Sequence, residues 1–143
     1  MSGVVIIGAG HSAAQAAASL RQAKYEGDIT IVGEENHIPY QRPPLSKGYL
    51  KGEQGADKVY LRAEAFYTDR NITMKLGTRA TAIDTAAQTV ALDTDETLSY
   101  GHLLISTGSR PRKLSIAGSD LPGIHYLRTM DDVDGLREGM QPD

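Results

Sequence analysis

The chain has 143 residues, of which 15 are Lys or Arg and 18 are Asp or Glu, so its formal net charge is −3. This length favours one domain, since domains typically contain about 100–200 residues. The charge balance lacks the basic excess that binding to a phosphate backbone requires, which argues against nucleic acid as a partner. The absence of cysteine excludes a disulfide framework, a cysteine-ligated metal and a redox-active dithiol within these residues.

The amino terminus carries no pattern of a targeting segment. Its first apolar run, Val4-Val5-Ile6-Ile7, is too short for a secretion signal and has no basic residue before it. No segment approaches the ~20 consecutive apolar residues of a membrane helix. We therefore expect a cytoplasmic protein that contacts no membrane, and we predict no metal site.

The first 34 residues have the pattern of a β-α-β unit. The β-branched run Val4–Ile7 predicts a strand that is buried on both faces, as in a parallel sheet. Small helix-forming residues follow from Ser12 to Lys24, and their alanines would let the helix lie close to a strand. Ile29–Val32 predicts a second buried strand. Arg21 and Lys24 are expected on the solvent-exposed face of the helix.

Turn-forming residues and then alternation characterise the middle of the chain. Proline and glycine interrupt residues 36 to 55, where we predict only a short helix over Lys47 to Leu50, capped by Ser46. A further helix is predicted from Ala63 to Thr68. The alternation that follows predicts a small antiparallel meander. Its strands are predicted at Thr73–Lys75, Arg79–Asp84 and Thr89–Asp93, with a turn at Asp93–Glu96.

The last third of the chain completes the predicted elements. The aliphatic run Leu103–Ile105 predicts another buried strand, which ends at Thr107-Gly108. A short strand at Ile124–Leu127 and a helix from Asp131 to Glu138 follow. Together the elements predict an α/β fold, a Rossmann-like βαβ domain whose parallel sheet is accompanied by the small antiparallel β-meander. Residues from about 1 to 112 would form this core.

Gly8-Ala9-Gly10-His11-Ser12-Ala13 matches the pattern G-x-G-x-x-A between the first predicted strand and helix. Gly8 permits the tight turn, Gly10 lets the backbone approach a pyrophosphate, and Ala13 allows close contact between helix and strand. The helix N-terminus would offer free N–H groups and a partial positive charge to the phosphates. The pattern alone also fits a tight turn without a ligand, so its context decides.

That context is an acidic residue after the second strand, where a carboxylate can accept a hydrogen bond from an adenosine ribose hydroxyl. Glu34 follows the strand directly, and Glu35 is the alternative. Strand, glycines, helix, second strand and acid in this order predict dinucleotide binding. His11, in the glycine turn, is expected to have a positional role rather than to transfer protons.

A proline-stiffened segment reads Pro39-Tyr40-Gln41-Arg42-Pro43-Pro44-Leu45-Ser46-Lys47. Adjacent prolines remove backbone donors and stiffen the chain, so we expect a rigid, mostly apolar wall that suits a flat ring. Arg42 and Lys47 would add fixed positive charge beside such a ring, which would stabilise an anionic reduced flavin. Each of these two residues, taken alone, is more typical of a solvated surface cation.

Five segments are informative in combination: Gly8-Ala9-Gly10, Val32-Gly33-Glu34, Arg42-Pro43-Pro44-Leu45-Ser46-Lys47, Ser106-Thr107-Gly108-Ser109-Arg110-Pro111-Arg112 and Tyr126-Leu127-Arg128-Thr129. Together they resemble the N-terminal part of the FAD-dependent ferredoxin reductases. These are the NADH-dependent reductases that serve oxygenase systems, with putidaredoxin reductase and the biphenyl dioxygenase reductase component as examples. The resemblance covers essentially the whole chain, and the Arg-Pro-Pro-Leu-Ser-Lys segment is its most specific part.

The resemblance implies a role for residues of the glycine motif and for the acid. Gly8, Gly10, Ser12 and Ala13 would hold the pyrophosphate of FAD. Glu34 would hold the adenosine ribose. These implied roles agree with the chemistry that the motif suggests by itself.

Further cofactor contacts are implied for residues elsewhere in the chain. Lys47 would lie at the flavin ring near its reactive nitrogen, which makes it the implied catalytic residue. Ala80 would present its backbone to the adenine. Thr107 and Gly108 would close the cofactor from the next strand end, and Arg128 would reach it from the segment that leaves the domain.

The lack of cysteine also bears on the reaction. Disulfide-reducing relatives of this group carry a redox-active cysteine where this chain reads Ser46-Lys47-Gly48-Tyr49, so electrons cannot leave a flavin through a local thiol. The resemblance implies instead hydride transfer from NADH to FAD and then single-electron steps to a ferredoxin-type iron–sulfur protein. It also implies an NADH domain after a point near Arg137. We therefore expect a fragment that is inactive alone, in which residues from about 113 to 143 lead towards that NADH domain.

Two alternatives stay open. One is a non-catalytic dinucleotide-binding module, although such a module has no need of the segment Arg42 to Lys47 or of the meander. The other is a reductase of the same architecture that serves rubredoxin or nitrite. The expectation of a fragment has its own consequence: strands that the rest of the FAD domain would complete leave an exposed sheet edge and apolar surface, which would favour self-association.

Overall fold

The computed structural model describes residues 3–140 of the chain. A parallel sheet with helices and a separate three-stranded antiparallel sheet confirm the predicted α/β class. None of the helices among the described residues is long and apolar enough to cross a membrane. In chain order the elements are β1 (Val4–Ile7), α1 (His11–Gln22), β2 (Ile29–Val32), a 3₁₀ helix (Pro43–Ser46), α2 (Ala56–Val59), α3 (Glu64–Thr68), β3 (Ile72–Lys75), β4 (Ala80–Asp84), β5 (Thr89–Leu92), β6 (Thr97–Ser99), β7 (His102–Ile105) and α4 (Met130–Gly139).

The described residues form two compact units. The first contains residues 3–40 and 60–108 and includes both sheets. The second contains residues 41–59 and 109–140 and includes the 3₁₀ helix, α2 and α4. The division predicted near residue 112 concerns the organisation of a longer protein, and it stays a prediction.

The parallel sheet of the first unit has the strand order β3-β2-β1-β7. β1 lies in its interior, where Val4 pairs with Ile29 on one side and with His102 on the other. All four residues of β1 are buried, as expected of a strand covered on both faces. Because the carboxyl ends of parallel strands lie at one edge, the turns that follow β1, β2 and β7 are brought together there.

Both faces of the parallel sheet are covered by apolar side chains. On one face Ala13 and Ala17 of α1 belong to the same buried cluster as Ile6, because their small side chains let the helix approach the strands. On the other face Val5 packs in a cluster with Val90 of the antiparallel sheet. Full burial of one aliphatic side chain stabilises a fold by about 2 kcal/mol. β1 therefore anchors both layers of the unit.

The strand at Ile72–Lys75 does not belong to the meander, so that part of the prediction is wrong. It pairs in parallel with β2, with Ile72 opposite Ile29. The chain between the two strands includes α3, and parallel pairing requires such a crossover. Burial of Ile72 in the cluster beneath α1 stabilises this arrangement. The meander consists of β4, β5 and β6 alone.

Two further predictions are wrong, and α2 has no predicted counterpart. Residues 47–50 are not helical, because Pro43 and Pro44 start a 3₁₀ helix four residues earlier, where their fixed φ suits a first turn. Lys47 then leaves the helical region with φ −132° and ψ −114°. Ile124–Leu127 has no ladder partner among the described residues, so the predicted strand there is not formed.

We expected Arg21 on the solvent-exposed face of α1, and this prediction is wrong. The side chain of Arg21 instead forms a clamp between two loops. Its guanidinium donates hydrogen bonds to the carbonyl oxygens of Tyr25 (2.6 Å), Gly27 (2.8 Å), Arg70 (2.8 Å) and Asn71 (2.8 Å). The first two carbonyls precede β2 and the last two precede β3. Arg21 therefore ties together the amino ends of two neighbouring strands.

Candidate functional site

Gly8 begins the turn at the carboxyl end of β1 and cannot be replaced without distortion. Its φ is +106°, in a region that side chains with a Cβ rarely adopt. A Cβ built there would also lie 2.3 Å from the carbonyl oxygen of Ser106, which follows β7. The Gly8 N–H donates to the Val32 carbonyl at 2.8 Å, and the Ser106 N–H donates to the Ile7 carbonyl at 2.7 Å. The ends of three strands thus meet around Gly8.

Gly10 stands at the N-cap of α1 and faces open space. Its backbone is extended (φ −98°, ψ −164°), and a Cβ built there would have no heavy atom within 4 Å. No side chain caps the helix at this position, and its first turn contains no acidic residue. The N–H groups of the first turn therefore present a partial positive charge beside a surface that another molecule can approach closely. This arrangement fits a phosphate group.

The other predicted residues of the glycine motif lie in the same turn of α1. His11 and Ser12 are exposed, whereas the Ala13 side chain is buried against the sheet. Ser12 can thus offer both its hydroxyl and its N–H to a ligand, and Ala13 only its backbone. The structure brings Gly8, Gly10, Ser12 and Ala13 together, as the motif requires.

The loop after β2 packs against the glycine turn and carries the two candidate acids. A Cβ built on Gly33 would lie 2.5 Å from the Cβ of Ala9, so the two loops touch. Glu34 is exposed and pairs with the guanidinium of Arg79. The carboxylate of Glu35 is half-buried and accepts a hydrogen bond from the hydroxyl of Tyr40. Exposure of its carboxylate makes Glu34 the better placed of the two acids for a ribose.

Arg79 is a residue of this site that the sequence did not predict. Its hydrogen bond to Glu34, together with the negative charge of Glu34, raises the pKa of the Arg79 guanidinium. It directly precedes Ala80, the first residue of β4 and the expected neighbour of the adenine. Ala80 pairs with Leu92, and the register shifts by a bulge between Ala80 and Ala82. A bulge at an edge strand leaves backbone groups of the strand available to a ligand.

Thr107 and Gly108 lie at the same edge of the sheet, after β7. Gly108 has a φ of +71°, which favours glycine, and both residues are exposed. Their neighbour Ser106 abuts Gly8. The structure therefore places the predicted closing residues next to the glycine turn within the first unit.

Three predicted cofactor residues, Arg42, Lys47 and Arg128, belong to the second unit. Arg42 donates a hydrogen bond through Nη1 to the carbonyl oxygen of Arg128 at 2.5 Å. The Arg128 Nε is buried and has no hydrogen-bond partner among residues 3–140. Because a buried N–H without an acceptor is costly, this atom fits a bound group that accepts a hydrogen bond. Lys47 is exposed just after the 3₁₀ helix.

A capping box at the start of α4 fixes the backbone of Arg128. The Asp132 carboxylate accepts hydrogen bonds from the N–H groups of Thr129 (2.7 Å) and Arg128 (2.8 Å), and the Asp132 N–H donates to the Thr129 hydroxyl at 3.1 Å. Burial alone raises the pKa of the Asp132 carboxyl, but these hydrogen bonds and the charge of Arg42 outweigh it and lower the pKa. Arg42 and Arg128 are thus held in place by the same helix start.

An open depression of about 710 Å³ lies elsewhere, at the amino edge of the parallel sheet. None of the predicted site residues lines it. Its lining residues are Lys24, Tyr25, Glu26, Gly27, Gln88, Gly101 and His102. The glycine turn, with its helix N-terminus, therefore remains the candidate site rather than this depression.

A family model described as pyridine nucleotide-disulphide oxidoreductase matches residues 2–143, and the chain belongs to this family. Among curated relatives, a ferredoxin–NAD(P)⁺ reductase of a Sphingomonas species is 44% identical over 93% of this chain and 32% of its own length. A rubredoxin–NAD⁺ reductase of Pseudomonas putida is 42% identical over 94% of this chain and 35% of its own length.

A solved structure extends the comparison to the fold. The crystal structure of the ferredoxin reductase for the CYP199A2 system of Rhodopseudomonas palustris matches with a TM-score of 0.89 and 42% identity, over 96% of this chain and 34% of that chain. The resemblance to ferredoxin reductases is thereby confirmed. The chain spans about a third of the length of the relatives that it matches.

Proposed function

We propose that this chain is the FAD-binding portion of an NADH-dependent flavoprotein reductase that passes electrons to a ferredoxin-type iron–sulfur protein. The observation that carries the proposal is the open space at Gly10, directly before the uncapped N-terminus of α1. A pyrophosphate is the group that such a turn accommodates best. Membership of the family and the names of the relatives support a reductase over a non-catalytic module.

In this proposal the first unit binds the adenosine half of FAD. The backbone N–H groups at Gly10, Ser12 and Ala13 bind the pyrophosphate, while Gly8 keeps the turn tight. Glu34 accepts hydrogen bonds from the ribose hydroxyls. Ala80 lies at the adenine, and Thr107 and Gly108 contact the cofactor from the end of β7.

The second unit supplies the residues proposed for the flavin half. Lys47 and Arg42 provide positive charge, and Arg128 provides the buried Nε that needs an acceptor. FAD, when bound, supplies the conversion between a two-electron hydride donor and single-electron acceptors. The charge of Lys47 and Arg42 would favour the reduced, more negative ring.

The acceptor belongs to the class of small iron–sulfur or iron proteins. The name of the Sphingomonas relative supports a ferredoxin, and the name of the Pseudomonas putida relative supports a rubredoxin as the second candidate. Measuring the rate of reduction of each purified acceptor by the whole reductase distinguishes them. A ferredoxin-linked enzyme reduces ferredoxin faster.

The test of cofactor binding uses Gly10→Ala. Because the new Cβ meets open space and the backbone is extended, the fold is expected to tolerate it. The methyl group would occupy the position of the phosphate, so the affinity for FAD and for ADP should fall by about tenfold or more, as for a lost charge-assisted hydrogen bond. Titration calorimetry measures both affinities.

The matched control is Gly135→Ala, in which the Cβ also meets open space but lies on α4, in the second unit. It should leave the affinity for ADP unchanged. Failure of the natural chain to bind FAD or ADP, or equal affinities of the natural chain and Gly10→Ala, would contradict the proposed function.

A further inference from the structure

The pair formed by Glu34 and Arg79 joins two loops at the candidate adenosine site. Arg79 donates a hydrogen bond through Nη2 to Oε1 of Glu34, although the two residues are 45 positions apart. The side chain of Glu34 keeps 48% of its surface exposed, and that of Arg79 keeps 54%. The contact therefore lies where a ligand held by Glu34 would touch it.

The backbone of Arg79 is fixed independently of this pair. Its N–H donates to the Asp93 side chain at 3.0 Å, and its carbonyl accepts from the Asp93 N–H at 2.9 Å. Glu34 is fixed as well, because the adjacent Gly33 donates to the Lys75 carbonyl and accepts from the Thr78 N–H. With both backbones held, the hydrogen bond from Arg79 restricts the directions in which the Glu34 carboxylate can point.

We propose that Arg79 is a positioning residue that holds the Glu34 carboxylate towards the ribose hydroxyls, and that the pair selects an unphosphorylated adenosine ribose. This inference rests on the proposed function. A carboxylate accepts hydrogen bonds from the ribose hydroxyls and repels a phosphate attached at the 2′ position of the ribose. A guanidinium by itself attracts that phosphate. Pairing with Glu34 neutralises Arg79 and so suppresses the attraction.

The charge arrangement makes the two residues interdependent. Without Arg79, Glu34 keeps its charge but loses the group that orients it, so hydrogen bonding to ribose weakens. Without Glu34, the guanidinium of Arg79 loses its hydrogen-bonded carboxylate, and only the charge of Asp93 still acts on it, so it becomes available to a 2′-phosphate. A residue that only stabilised the fold would change the binding of phosphorylated and unphosphorylated ligands equally.

The experiment measures the affinities of the 143-residue chain for ADP and for adenosine 2′,5′-bisphosphate by titration calorimetry. The variants are Arg79→Gln, Arg79→Lys, Glu34→Gln and the double variant Glu34→Gln/Arg79→Gln. Lys75→Gln is the matched control, because it breaks another exposed ion pair of the same unit, with Glu96 at 2.7 Å. The thermal midpoint of each variant reports its folding.

Arg79→Gln should weaken ADP binding by about three- to tenfold, and Arg79→Lys should restore part of it. Glu34→Gln should shift the preference towards the 2′-phosphorylated ligand by about tenfold, and the double variant should lose that shift. Lys75→Gln should change neither affinity.

Three results would overturn the inference alone. The first is unchanged ADP binding in Arg79→Gln, and the second is that Arg79→Gln weakens ADP binding equally whether residue 34 is Glu or Gln. The third is that the shift towards adenosine 2′,5′-bisphosphate is the same in Glu34→Gln and in the double variant. Absence of ADP binding by the natural chain would instead overturn the proposed function, and the inference with it. The two failures are thus distinguishable in one set of titrations.

Discussion

Gly8 and Gly10 are two glycines of one motif with different physical reasons for being glycine. Gly8 has a positive φ and abuts the Ser106 carbonyl. Gly10 has a negative φ, and a Cβ built on it would have no heavy atom within 4 Å. We expect Gly8→Ala to lower the free energy of unfolding by at least about 2 kcal/mol, from backbone strain and the clash. Gly10→Ala should change it by less than about 1 kcal/mol. Urea denaturation of both variants checks this, and equal losses would contradict it.

The glycines and the acid of the candidate site could be placed at the carboxyl ends of β1 and β2 from the sequence, because each follows an aliphatic run that predicts a strand. Arg79 and Arg21 could not. Their partners lie 45 and up to 50 residues away, and no neighbouring residue distinguishes either arginine from a solvated cation. Such contacts become visible only when the strands have been paired.

At the scale of elements, the start of α4 is expected to be sensitive to acid. The pKa of Asp132 is lowered in the folded chain, so this carboxylate contributes stability above its ordinary value of 3.8. That contribution is lost as the pH falls below 3.8 towards the folded pKa. Asp132→Asn should lower the free energy of unfolding at pH 7 by about 1 kcal/mol and flatten the pH dependence in this window.

Thermal denaturation between pH 2 and pH 7 measures the effect of Asp132→Asn. The exposed Glu138, in the last turn of the same helix, provides the control variant Glu138→Gln. Equal pH profiles of the natural chain and Asp132→Asn would show that the capping box does not depend on this charge.

The sequence predicts which segments form helices and strands better than it predicts which strands pair with one another. β1, β2 and α1 follow from aliphatic runs and an alanine-rich periodicity, since burial on both faces leaves few alternatives. The sheet to which Ile72–Lys75 belongs cannot be predicted from the sequence. Alternation of apolar and polar residues is the same in an edge strand of a parallel sheet and in a hairpin strand. Pro43 and Pro44 set the start of the 3₁₀ helix, which a search for an N-cap serine places too late.

At the scale of the whole molecule, β7 forms one edge of the parallel sheet. Its Leu104 and Ile105 are 37% and 60% exposed, and the strand contains neither proline nor a charged Lys, Arg, Asp or Glu that would discourage pairing. We therefore expect the isolated chain to self-associate with increasing concentration, as light scattering would measure. Ile105→Lys should reduce this association, because a charge on an edge strand opposes pairing.

The control for the edge is Ile83→Lys, which adds the same charge to β4, where Ile83 is 40% exposed. It should leave association through β7 unchanged. A monodisperse monomer at all concentrations would contradict the expectation, and an equal effect of both substitutions would show that the association is not specific to the edge at β7.

The clamp formed by Arg21 has a consequence for protein engineering. It secures the carbonyls that precede β2 and β3, at the rim opposite to the glycine turn. The contacts that anchor the scaffold and the candidate ligand site thus lie at opposite ends of the strands. Grafting other loops onto the carboxyl ends of the strands should leave the contacts of Arg21 intact, which makes this unit a scaffold on which the loops of the candidate site can be redesigned.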